Sequence, residues 1–223
     1  FSNLAVPMVG IVDTGLMGHL SNQQFLAATS IATSVITLIY WSFGFLRMGT
    51  VGLVSQSLGK GDYREIVLTT LRNLIIALLI AFIIIVLQDK IIHLVNETFK
   101  TSESLKILIS KYISVRIFSA PAELTLYVLI GLYLGLQKTM ISSFMIIFFC
   151  ITNMLLSAFF VLNLNLEIYG VALGSVISAY LTILIFLTYT FFYIRKRFNI
   201  TPKISTLLIK KRIFKLLNIN FNI

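Results

Sequence analysis

Apolar residues fall into six long runs separated by short polar stretches. The first occupies the chain to about Leu20. The second begins near Phe25, reads apolar to Leu46 and continues through Met48-Gly49-Thr50-Val51-Gly52-Leu53-Val54 toward Gly59. The third runs from Ile66 to Leu87. The fourth starts amphipathic near Leu105 and is strongly apolar from Ile117 to Leu136. The fifth covers Met140 to Leu162 and the sixth Ile168 to Ile194. Each core holds about 20 apolar residues, enough to cross ~30 Å of hydrocarbon at ~1.5 Å per helical residue. The runs are too long for barrel strands and lack their alternation, so the pattern predicts helices. The expected class is all-α: a polytopic membrane protein, a six-transmembrane-helix bundle. From Leu74 to Leu87 the third span is apolar on every side, which predicts a helix facing lipid and framing the bundle. The second and fourth spans read longer than a bilayer requires, as in proteins whose helices frame a vestibule.

Composition agrees with the bilayer as solvent: 58% of residues are hydrophobic and the mean hydropathy is +0.96. The net charge of +10 does not describe a nucleic-acid face, because eight of the eighteen Lys and Arg lie after Tyr193, beside a membrane exit. Beyond Ile194, residues Ile204, Leu207, Leu208, Ile213, Leu216 and Leu217 fall roughly on one face with Lys203, Lys210, Lys211 and Arg212 interleaved. This predicts an interfacial amphipathic helix, broken from the sixth span by Pro202. The division expected is a lobe over 1–194 and a basic cytoplasmic linker over 195–223. Gly59 to Arg64, Lys138 and the Arg195-Lys196-Arg197 cluster share one side. The opposite loops are His19 to Gln24, Gln88 to Ser104 and Asn163 to Glu167, poorer in basic residues. The positive-inside rule then places both chain ends in the cytoplasm of a bacterial inner-membrane protein. The start at Phe1 and the end at Asn222-Ile223 read as those of a piece of a longer chain.

Chemistry is sparse. Cys150 is the lone cysteine, and His19 and His93 are isolated, so no metal site or cofactor is expected. Gly59-Lys60-Gly61-Asp62 lacks phosphate-loop spacing, and neither a Ser–His–Asp set nor His-Glu-x-x-His occurs, which argues against an enzyme. Asp13 stands out. A carboxylate inside a membrane-grade run costs roughly 2.5–3.5 kcal/mol, so it persists where it works or is paired. Helical depth places Thr33, Ser34, Pro121, Glu123, Asn153, Ser157 and Ser175 in one layer with it, with Asn153 and Ser157 on one face. Singly, the hydroxyls and amide read as interhelical hydrogen bonds; with two carboxylates they read as a water-filled pocket, Thr14, Thr33, Ser34 and Ser157 lining its substrate side. Arg116, two turns from Glu123, is placed to neutralise it partly. Pro7 and the glycines around Asp13 suit either a bending helix or close packing.

The ordered motifs resemble the amino-terminal half of the multidrug and toxic compound extrusion (MATE) family, in its DinF-like branch. They are Pro7 to Thr14 with Gly18-His19-Leu20; Phe45 to Leu53 with Gln56 and Gly59; Arg116 to Ala122 with Gly131, Gly135 and Gln137; Asn153; and Tyr169 to Gly174. Even Leu216-Leu217-Asn218 resembles the lead-in to a seventh helix. The resemblance implies one lobe of a twelve-helix transporter that exports small organic, amphipathic compounds in exchange for H+ or Na+. Its partners would be the lipid bilayer, the substrate and a second six-helix lobe, with no nucleic acid. It implies that Asp13, Asn153 and Ser175 couple the ion. The family's second acid, four residues after the asparagine, is Ser157 here. That loss favours H+ over Na+, since hard cations want anionic oxygens, and suggests Glu123 as a partial substitute. A lipid-linked precursor flippase and a non-transporting scaffold are the rival readings. The first wants a cationic cavity, and the second predicts that Asp13→Asn is silent.

Overall fold

The computed structural model describes residues 15–18, 23–99 and 101–198. Asp13 and Thr14 lie outside these, as do most of the first span, Pro202 and the expected amphipathic helix. The described residues form helices without strands: α1 (Gln23–Trp41), α2 (Phe45–Gly59), α3 (Tyr63–Val86), α4 (Gln88–Thr98), α5 (Glu103–Arg116), α6 (Ala120–Gly135), α7 (Thr139–Ala158) and α8 (Glu167–Phe198). α1 and α2 form one long span, and so do α5 and α6, giving five spans among the described residues. They run to 36 and 33 residues, ~50 Å each at 1.5 Å per residue, well beyond the hydrocarbon thickness.

The fourth span is the hub. Its first half, α5, packs against α1 and α8; its second half, α6, packs against α2 and α3 and also meets α7 and α8. A helix surrounded on all sides should be apolar all round, and beyond Glu123 and Thr125 α6 is: Leu124, Leu126 and Val128 to Tyr133 are buried. Close approach to α2 depends on glycine. A Cβ at Gly131 would lie 2.7 Å from the Arg47 carbonyl oxygen and 2.8 Å from Thr50 Cβ, a contact only hydrogen can occupy. Asn73 of α3 fastens the same junction, its Nδ2 donating to Thr50 Oγ1 at 2.8 Å.

Two expectations need adjustment. The third span is uniformly apolar over Leu74 to Leu87, yet it has two faces. Ala77, Ala81 and Ile84 are buried against the bundle while Leu78, Leu79, Phe82, Ile83 and Val86 are exposed where lipid would lie. Small side chains rather than polar ones mark the inner face. The stretch Gln88 to Ser104, expected as a loop, contains α4. Asp89 sits in its first turn, favourable to the helix dipole. Ile91, Ile92 and Val95 turn toward the core, and Asn96 Nδ2 donates to Ser110 Oγ at 3.1 Å.

Candidate functional site

The seam between α7 and α8 brings together three of the residues singled out by sequence. Asn153 and Ser157 are one helical turn apart on α7 and fully buried. Asn153 Nδ2 donates to Ser175 Oγ on α8 at 2.8 Å. Gly174 lets the two backbones touch: a Cβ there would lie 2.6 Å from Ser157 Oγ and 2.7 Å from its backbone nitrogen. Asn153 Oδ1 and Ser157 Oγ are buried yet carry no hydrogen bond among the described residues. Inside a membrane span an oxygen left in that state carries a desolvation penalty, about 1–3 kcal/mol, and Thr29 Oγ1, Asn73 Oδ1 and Asn96 Oδ1 are buried without a partner in the same way.

Glu123 stands in a different environment. Its Oε1 lies 2.5 Å from Arg116 Nη1, both side chains 12% exposed, and accepts from Ser119 Oγ at 3.0 Å. Arg116 also donates to Ser119 Oγ and stacks over the Tyr40 ring, 5.7 Å from its centroid. The described contacts of Glu123 are thus to its own span, none to Asn153, Ser157 or Ser175. Thr33 donates to the Tyr112 hydroxyl at 3.1 Å. Ser34, exposed, bonds back to its own helix at the Ser30 carbonyl, 2.8 Å away. The expected single layer is therefore resolved, among the described residues, into an α7–α8 seam, an ion pair within the fourth span and a Thr33–Tyr112 contact. Tyr40, Tyr112 and Ser119 were not singled out. The available signal was a tyrosine in an apolar membrane run, whose hydroxyl needs a partner when buried. Among the described residues no cluster of three or more His, Cys, Asp or Glu could hold a metal ion, and Cys150 is buried as a free thiol.

Comparison with known proteins fits this architecture. The MatE family model matches residues 1–159. The chain is 32% identical over 185 residues to DNA damage-inducible protein F of Escherichia coli, covering 83% of this chain and 40% of that protein. It is 24% identical over 215 residues to the multidrug export protein MepA of Staphylococcus haemolyticus, covering 93% of this chain and 46% of that one. Among solved structures it superposes on a MOP superfamily transporter from Pyrococcus furiosus with a TM-score of 0.86 at 18% identity, covering 99% of this chain and 48% of the other. An outward-facing multidrug resistance MATE family transporter gives 0.82 at 19% identity, with 99% and 49% covered. The chain spans about half the length of these relatives, so its bundle corresponds to one lobe of such a transporter. With the family model matching most of its length and the DinF relative at 32% identity, the chain belongs to the MatE family of membrane transporters.

Proposed function

We propose that this chain supplies the coupling lobe of a secondary-active exporter, one that moves small organic, amphipathic compounds outward in exchange for H+. The lobe would be residues 1–194, with 195–223 a basic cytoplasmic linker toward a second six-helix lobe. Lys60, Arg64, Lys138 and Arg195 to Arg197 would lie on the cytoplasmic side of a bacterial inner membrane. The carrying observation is the pair of buried oxygens without a hydrogen bond at the α7–α8 seam, the Asn153 Oδ1 acceptor and the Ser157 hydroxyl. An ionised Asp13 only accepts hydrogen bonds, so it could take the Ser157 hydroxyl proton but has nothing to offer Asn153 Oδ1. Once protonated it gains an O–H donor. Protonation from outside would therefore remove a charge and create a bond partner in one step. The first helix would then repack, the pocket would shrink and the substrate would leave; the proton would be released inward after the lobes rock.

Sodium is the second reading, favoured by the same two oxygens, since Na+ also takes amide and hydroxyl ligands. With Ser157 in place of an acid, the anionic oxygens available to it are fewer. The test is efflux of ethidium from proteoliposomes carrying the protein expressed from its complete reading frame, under an imposed pH or Na+ gradient. Asp13→Asn should abolish export while membrane insertion stays normal. Export that survives the substitution refutes the mechanism, and export driven by Na+ alone replaces H+ by Na+.

A further inference from the structure

The α-helical pattern of the fourth span is interrupted at residues 117–119. In an α-helix the Ile117 carbonyl would accept from the backbone N–H of residue 121, which is proline and has none. Ile117–Ser119 tightens into a 3-10 turn instead, and the Ala120 N–H bonds back to Ile117. The carbonyl oxygens at this break recruit tyrosines from two other spans. The Tyr40 hydroxyl of α1 lies 3.3 and 3.4 Å from the Arg116 and Ile117 oxygens and 3.0 Å from Ser119 Oγ. The Tyr180 hydroxyl of α8 donates to the Phe118 oxygen at 3.0 Å. The two differ in kind. Tyr40 is 2% exposed and embedded beside the Arg116–Glu123 pair, whereas Tyr180 is 46% exposed and makes one bond.

Tyr180 is also five residues from Ser175, on the helix that receives the Asn153 amide. We propose that Tyr180 is a positioning residue: a releasable clamp that locks the break in the fourth span to the helix carrying the coupling seam, with Tyr40 as the fixed side of the hinge. The inference rests on reading the α7–α8 seam as the coupling site. A displacement of α8 at Ser175 pulls the Tyr180 hydroxyl from the Phe118 carbonyl, and α5 is then free to tilt about residues 117–119. Because α5 packs on both α1 and α8, that tilt repositions three spans together.

Spin labels at Ile107→Cys on α5 and Lys138→Cys beyond α6, in a Cys150→Ala background, read the hinge directly. Both positions are exposed, and they lie ~45 Å apart along a straight helix, within reach of pulsed dipolar spectroscopy. Tyr180→Phe removes the hydroxyl alone at a half-exposed position. In the protein from its complete reading frame it should broaden the distance distribution toward shorter values. It should also lower the maximal ethidium export rate by about 3- to 20-fold, the worth of one interhelical hydrogen bond, while leaving KM as in the parent. A parent-like distance distribution, or a parent-like export rate, overturns the clamp. Should Tyr180→Phe fail to insert, Pro121→Ala carries the test: it restores the missing N–H and should narrow the distribution, and an unchanged one overturns the hinge. The distance measurement is independent of Asp13, so a failed coupling mechanism and a failed clamp give different results.

Discussion

Gly174→Ala tests the seam at its tightest point. The added Cβ would lie 2.6 Å from Ser157 Oγ, 2.7 Å from its nitrogen and 2.9 Å from its Cα, where ordinary contact begins near 3.4 Å. Two of those three atoms are backbone, so no rotamer change relieves them, and α7 and α8 must part by ~0.7 Å locally. Overpacking of this kind costs about 1–3 kcal/mol. Parting also stretches the 2.8 Å Asn153–Ser175 bond one residue away, a further ~0.6–1.7 kcal/mol. The sum, about 1.6–4.7 kcal/mol, is roughly a 14- to 2,300-fold shift in the folding equilibrium at 1.4 kcal/mol per factor of ten. Unfolding in mixed micelles, titrated with a denaturing detergent, reads it. Ser157→Ala in the Gly174→Ala background should recover little, because it removes Oγ and leaves the two backbone contacts. Parent-like stability of Gly174→Ala, or full rescue by Ser157→Ala, would refute the backbone-on-backbone account.

Two other substitutions follow from buried pairs. Glu123→Leu strands the Arg116 guanidinium at 12% exposure, which should cost about 3–5 kcal/mol. The double variant Arg116→Leu with Glu123→Leu should recover most of that loss in the same titration, and a silent single variant would mean that the pair is solvated. Thr50→Val keeps the shape of the α2–α3–α6 junction but leaves the Asn73 amide without its 2.8 Å partner. It should lower stability by about 1–3 kcal/mol, whereas parent-like unfolding would remove the junction's polar fastening from the account.

The spans were legible because bilayer thickness writes itself into run length, and five of the six expected runs correspond to the helical spans of the described residues. Asn153, Ser157 and Ser175 were legible for a similar reason: helical depth and the four-residue spacing are arithmetic on the sequence. The inner face of α3 was not, since Ala77 and Ala81 face inward by virtue of size while hydropathy ranks them with their lipid-facing neighbours. Nor was α4, whose eleven residues are too few and too polar for a span although Ile91, Ile92 and Val95 suffice for one docked face. The sequence gives Arg116 and Glu123 the right spacing to meet. Pro121 marks a point where the span can break, but nothing in the sequence shows that tyrosines from two other helices close over it.

Two polar arrangements inside the membrane region answer burial in opposite ways. At the break, charge is cancelled locally: Arg116, Glu123, Ser119 and Tyr40 consume one another's bonding capacity. A carboxylate held in that way is committed to its neighbours in the fourth span. At the α7–α8 seam no described charge is present, and two oxygens stay unpaired beside a hydrogen bond that joins two helices. Such a seam gains stability when a group arrives that bonds either oxygen, the amide as acceptor and the hydroxyl as donor or acceptor. Shape belongs to the first arrangement and responsiveness to the second. On that physics Glu123 is better suited to holding the hinge than to standing in for the acid missing at Ser157. The proton-linked step would then fall to Asp13 acting on neutral oxygens, a division of labour in which Glu123→Gln keeps its coupling stoichiometry while Asp13→Asn loses transport altogether.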